Sequence, residues 1–128
     1  MDRVALNNWL EAYGRAWETR DPAAVAQLFT LDALYWERPF TEPLRGRDAI
    51  LEYWSRVVAR SQEQIQFGFE IVALDKNRGV ARWWASFVRV SSNQRVQLDG
   101  IFLLTFSDEN LCCELREWWH RQDQSPAS

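Results

Sequence analysis

A chain of 128 residues, 47% of them apolar, carries enough hydrophobic material for one core without disulfides or metal, and its length fits a single domain. Its net charge of -3 comes from 15 basic and 18 acidic residues mixed along the chain, which leaves no electrostatic footprint for nucleic acid or an anionic membrane. The residues from Met1 to Asn8 contain no apolar signal core, and no apolar stretch approaches the roughly 18–20 residues of a membrane span, so a cytoplasmic protein is expected.

Leu6, Trp9, Leu10, Tyr13 and Trp17 recur at three- and four-residue spacing and predict a long amphipathic helix. Asp21-Pro22 supplies a cap and a favoured first-turn residue for a second, shorter helix with Val25, Leu28 and Phe29 on its apolar side. A brief aromatic strand is expected from Leu34 to Glu37, followed by a loop through Pro39 and Pro43 that closes at Gly46. From Arg47 to about Arg60, Ile50, Trp54, Val57 and Val58 return to helical spacing. The period then changes to two: Ile65, Phe67, Phe69 and Ile71 alternate with Gln64, Gln66, Gly68 and Glu70. Further strands are expected over Val80–Val90, Arg95–Phe106 and Leu111–Gln122, separated by turns at Asn77-Arg78-Gly79, Ser91–Gln94 and Ser107–Asn110. Residues 123–128 read as a polar, disordered tail. Three helices followed by four strands predict an α+β domain: an antiparallel meander whose concave side closes over the first and third helices and leaves a pocket at its open end.

Eight tryptophans are a high number for this length and mark a dense core, a ligand cavity or a dimer face. Cys112 and Cys113 are adjacent, so on a strand they point to opposite faces and are expected to stay reduced. With one histidine and no other cysteine, an ordinary zinc ligand set cannot be assembled within one subunit, and no metal is expected. On the last strand Leu111, Cys113, Leu115 and Trp119 share a face with one charge, Glu117. If that face is concave, burial raises the carboxyl pKa toward the range of a general acid or base; the structural alternative is an ion pair with Arg38, Arg47 or Arg82.

The run Tyr13 to Trp17, then Asp21-Pro22, Asp32-Ala33, Glu37, Gly46-Arg47-Asp48-Ala49-Ile50 and Tyr53-Trp54 resembles the opening of SnoaL-like polyketide cyclases and ketosteroid isomerase, in the nuclear transport factor 2-like superfamily. The resemblance continues to Leu115-Arg116-Glu117-Trp118-Trp119 and implies a cystatin-like α+β cone over residues 1–122, with three N-terminal helices on the concave face. It implies Tyr13 as a donor to a developing enolate and Glu37 as a proton-shuttling carboxylate. The isomerase's remaining oxyanion donor falls near Phe102, which cannot donate, and the cyclases' acid-base aspartate falls near His120, which strict alternation places on the outer face.

Tyr13, Glu37 and Glu117 are therefore the candidate catalytic groups, and Trp17, Trp36, Tyr53, Trp54, Phe102 and Trp119 the candidate ligand-binding walls. Tyr13 and Glu37 also have plain structural readings, as a satisfied core tyrosine and a solvated strand-end charge. Ile101, Leu103 and Trp118 fall on the other sheet face, and one of Trp83 and Trp84 must join them. A homodimer packed sheet against sheet is expected, as in proteins it resembles. The expected activity is cofactor-independent proton transfer on a small apolar or aromatic carbonyl compound; the alternative is a non-catalytic binder or dimeric interaction module of the same fold.

Overall fold

Asp2 accepts a hydrogen bond from the backbone N–H of Ala5 (2.8 Å) and starts helix α1 (Arg3–Glu18) in the computed structural model, which describes residues 1–126. Leu6, Trp9, Leu10, Tyr13 and Trp17 form its buried stripe, as their spacing predicts. The helix stops in a closed C-terminal motif. Arg20 sits in the left-handed region at φ 54°, its N–H bonds to the Trp17 carbonyl (3.0 Å), and Asp21 N–H bonds to that of Ala16 (2.9 Å). Glycine is preferred there because a Cβ costs roughly 1–2 kcal/mol in that conformation. Arg20→Gly is expected to stabilise the fold by about 0.5–1 kcal/mol after allowing for the freer unfolded chain, raising the melting temperature by roughly 2–5 °C. A melt unchanged or lowered by the substitution would refute this account of the turn.

Asp21 then caps α2 (Pro22–Ala26) through Ala24 N–H at 3.1 Å. That helix ends before Leu28 and Phe29, which sequence spacing assigned to it. Phe29 instead begins β1 (Phe29–Trp36), which is longer than the expected four residues. After the loop through Pro39 and Pro43, β2 (Leu44–Arg45) pairs with Leu34 and Tyr35. The third helical region is α3 (Arg47–Tyr53), a π-helical stretch (Trp54–Val58) and a final turn α4 (Ala59–Ser61).

Strands β3 (Gln62–Asp75), β4 (Arg78–Arg89), β5 (Gln94–Phe106) and β6 (Cys112–Pro126) form the expected meander. The full sheet has six strands in the order β2-β1-β6-β5-β4-β3, and β1 runs parallel to β6. The last strand therefore lies inside the sheet, hydrogen-bonded to β1 on one side and β5 on the other. It also passes the expected boundary at Gln122: Asp123 pairs with Val96 and Pro126 with Gln94, so residues 123–126 extend the sheet, and 127–128 lie outside the described residues.

The concave face packs on α1 around Trp9, Tyr13, Phe29, Phe87, Phe102 and Phe106, with Trp9 edge-on to Phe29 and Phe106. Trp83 is buried in this core, whereas Trp84 points outward. At the start of β6 the pairing slips between Thr105 and Phe106, a bulge that turns Cys112 rather than Cys113 into the core. Both thiols are free. Among the described residues no helix is long and apolar enough to cross a membrane.

Candidate active site

Helices and strands from both layers converge on one cavity of about 150 Å³ at the open end of the cone. Tyr13 and Trp17 lie one turn apart on α1, Tyr35 and Glu37 alternate inward at the end of β1, and Tyr53 and Trp54 come from the junction of α3 with the π-helical stretch. Glu117 and Trp119 project from β6, and Trp83 from β4. Gly100 of β5 stands between Trp83 and Trp119 in the cross-strand register, and its missing side chain makes room for the Trp83 indole and the Trp119 Cβ.

The polar groups inside are few. The Tyr13 and Tyr35 hydroxyls hydrogen-bond to each other at 3.0 Å, Trp17 Nε1 donates to Gln62 Oε1 at 2.8 Å, and Trp119 Nε1 donates to the Glu37 carbonyl at 3.2 Å. Glu117 is only 8% exposed and makes no hydrogen bond or ion pair with any described residue. None of the expected ionic partners reaches it: Arg47 donates to the Phe29 carbonyl (3.1 and 2.5 Å), Arg82 pairs with Asp99 (2.5 Å), and Arg38 is laid over the Trp119 ring at 5.3 Å without an ion pair. Burial, and secondarily the Glu37 carboxylate, hold the Glu117 carboxyl well above its ordinary pKa and favour the neutral acid. Burial also pushes up the Tyr13 and Tyr35 phenols, with Glu117 second for Tyr13 and Tyr13 second for Tyr35. Tyr53 is raised by burial and then by Glu37, so all three phenols keep their protons.

Residues 10–114 match the family model of the SnoaL-like domain. The chain belongs to the SnoaL-like family. No curated protein matches it in sequence. Solved structures share its fold at low identity. One is SalBIII, an epoxide hydrolase/cyclase-like enzyme in pyran ring formation in the polyether salinomycin (20% identity, 93% of each chain covered, TM-score 0.79). Another is the Δ5-3-ketosteroid isomerase from a Mycobacterium species (12% identity, 94% of this chain and 98% of that one, TM-score 0.78). A third is the hexachlorocyclohexane dehydrochlorinase LinA type 2 (12% identity, 98% and 90%, TM-score 0.78).

In this SnoaL-like chain the three candidate catalytic groups, Tyr13, Glu37 and Glu117, line one cavity together with Trp17, Tyr53, Trp54 and Trp119. Two expected walls lie elsewhere. Strand alternation turns Tyr35 inward and Trp36 outward, where its Nε1 donates to Glu114 (3.2 Å) and Arg116 stacks over its ring (4.4 Å). Phe102 faces inward but is sealed behind the cavity, edge-on to Tyr13 at 5.4 Å and stacked on Trp83 at 5.1 Å. His120 is exposed and stands opposite Asp99 on the outer face. Tyr35, Gln62 and Trp83 are site residues that the sequence reading did not select. Tyr35 shares a strand face with Glu37, and that alternation was the available signal; nothing in the local pattern marked Gln62, which reaches the cavity as the first residue of β3.

Proposed function

We propose that this protein moves a proton on a small, flat, carbonyl-bearing molecule, with Glu117 as the acid-base group and Tyr13, backed by Tyr35, polarising the substrate oxygen. The observation that carries the reading is the unpaired, buried Glu117 carboxyl opening on the same hollow as the Tyr13–Tyr35 hydroxyl pair. An unpartnered buried acid is costly for a fold, and a site that exchanges protons gives it a use. Glu37 at the lip is the second carboxylate: it raises the proton affinity of Glu117 and offers a route for the proton to and from water. No metal or organic cofactor enters this scheme. At about 150 Å³ the hollow holds a single-ring compound and is below the usual range for drug-sized ligands, so a steroid-sized body does not fit inside it. The isomerase, cyclase and dehydrochlorinase of the same fold support a reaction of this broad kind.

The test is exchange of the α-protons of compact cyclic enones and aryl ketones in deuterated water, followed by proton NMR. Catalysed exchange that falls by about 10²-fold or more in Glu117→Gln, and by roughly tenfold in Tyr13→Phe, is expected. Exchange as fast in Glu117→Gln as in the native protein would end the proposal. Phe102, which cannot donate a hydrogen bond, favours the second reading, a non-catalytic binder of the same ligands; saturable binding without exchange would select it.

On the outer sheet face Trp84, Ile101 and Trp118 are 39%, 38% and 45% exposed, and we assign this face to a homodimer in a cytoplasmic protein. Light scattering at micromolar concentration is expected to give the mass of two chains, and Trp118→Lys to halve it; a native protein of one-chain mass would remove the dimer.

A further inference from the structure

Around the mouth of the same cavity stand Arg38, Arg89 and Arg121, with Glu37 and Asp123 as the facing acids. Arg121 is spent: its guanidinium holds Asp123 in two bonds of 2.6 and 3.0 Å. Arg38 and Arg89 are not. Neither makes an ion pair with a described residue, and each is laid against an aromatic ring of the rim, Arg38 over Trp119 at 5.3 Å and Arg89 over Phe87 at 5.7 Å. Stacking fixes the plane of a guanidinium while leaving its N–H groups free to donate, which is the arrangement that suits a planar carboxylate. At the rim, three guanidiniums stand against the carboxyl groups of Glu37 and Asp123.

The interior is also short of acceptors. The indole N–H groups of Trp54 and Trp83 have no partner, and the Tyr13–Tyr35 pair shares one bond between two hydroxyls, so one O–H remains unspent. Buried donors without partners are costly, and a ligand oxygen that reaches the tyrosine pair gives the unspent O–H an acceptor.

We propose that the cavity takes a small organic monoanion, with an aromatic or enone body whose carbonyl or ether oxygen enters toward the Tyr13–Tyr35 hydroxyl pair and a carboxylate held at the mouth by Arg38 and Arg89. This deepens the reading of the cavity as a ligand site and stands whether or not a proton moves there. It sets which end of the molecule enters first and makes the charge at the trailing end a determinant of selection. A cationic or amine-bearing ligand is disfavoured at both ends.

The proposal is tested by binding of a matched pair of probes, 4-acetylbenzoate and 4-acetylbenzamide, which share shape and the acetyl oxygen and differ in charge. Quenching of the cavity tryptophans reads the binding. The benzoate is expected to bind about tenfold more tightly than the amide in the native protein, with the gap narrowing as salt is raised. In Arg38→Gln/Arg89→Gln the two probes should bind within about twofold of each other, because the benzoate weakens and the amide does not. Should the double variant fail to melt cooperatively, Arg38→Gln alone decides, since Arg38 is exposed; it must reduce the preference at least about threefold. Equal binding of the two probes by the native protein, saturation by neither at about 10 mM, or a preference that survives loss of the guanidiniums would each overturn the proposal. No turnover is involved, so its failure leaves the proton-transfer reading standing, and a failed exchange experiment leaves the anion site standing.

Discussion

Glu117→Gln is expected to unfold at higher urea concentration than the native protein at pH 8, with the difference shrinking as the pH is lowered toward 5. The folded protein holds the Glu117 carboxyl well above the 4.5 of an ordinary glutamate, because ionisation there puts a charge in an apolar hollow beside Glu37. The unfolded chain releases that proton near pH 4.5, while the folded chain still binds it. Above that pH the native state carries more protons than the unfolded state, so stability falls as pH rises and stops falling only above the folded-state pKa. The slope from this one group reaches about 1.4 kcal/mol per pH unit at its steepest. Glutamine has the shape and hydrogen-bonding groups of the neutral acid and no proton to lose, which removes the slope. The measurement is urea unfolding of both proteins at pH 5, 6, 7 and 8. A stability difference that stays constant across that range would mean that Glu117 ionises normally, and the acid-base role would fall with it. The same substitution is expected to abolish exchange chemistry, so stability and activity move in opposite directions, as they do where a site keeps a group the fold would otherwise discard.

The largest loss of stability is expected from Gly100→Val. A Cβ at this position meets the Trp118 carbonyl at 2.5 Å, the Trp119 Cβ at 2.8 Å and Trp83 Cε2 at 3.0 Å. The first of these is backbone of β6, held to β5 through an unbroken antiparallel register on either side of Trp118, and it cannot step aside cheaply. Overpacking of this kind costs about 1–3 kcal/mol for modest additions, and a branched side chain that also presses on the Trp83 indole and the Trp119 Cβ is expected to reach or exceed the upper end. Gly100→Ala should fall between the two proteins. Near-native unfolding of the valine variant would show that β5 and β6 are not held in this register. Both substitutions should quench or shift the fluorescence of Trp83 and Trp119 even where the fold survives, because the cavity floor is built on the absent side chain.

The parts of the fold that local periodicity could reveal are those governed by one face and one period. The α1 stripe from Leu6 to Trp17 and the alternation of β6 around Glu117 both appear as read, since burying an apolar face fixes the spacing. The misreadings arise where partners distant in sequence decide. Phe29 continues a helical spacing but is claimed by β6, whose Cys112 N–H bonds to the Leu28 carbonyl at 2.9 Å. The middle of β1 is concealed by its own composition, since Leu31 and Asp32 are exposed and resemble a loop. Cys112 and Cys113 exchange faces because of a bulge, which no alternation rule anticipates. In the site, the inward direction of Phe102 is legible, but the edge-on Tyr13 ring that seals it off depends on how α1 crosses the sheet. The ionic partners proposed for Glu117 failed for a related reason. Arg47 and Arg82 have closer acceptors in the Phe29 carbonyl and Asp99, which only the assembled chain brings to them.

The interior position of β6 has a consequence for biosynthesis. The strand made after β1 to β5 is the one that joins β1 to the rest, so the hairpin of β1 and β2 has no strand partner beyond itself while β3 to β5 emerge. Closure of the full sheet must therefore wait for β6, whatever the earlier elements have already buried.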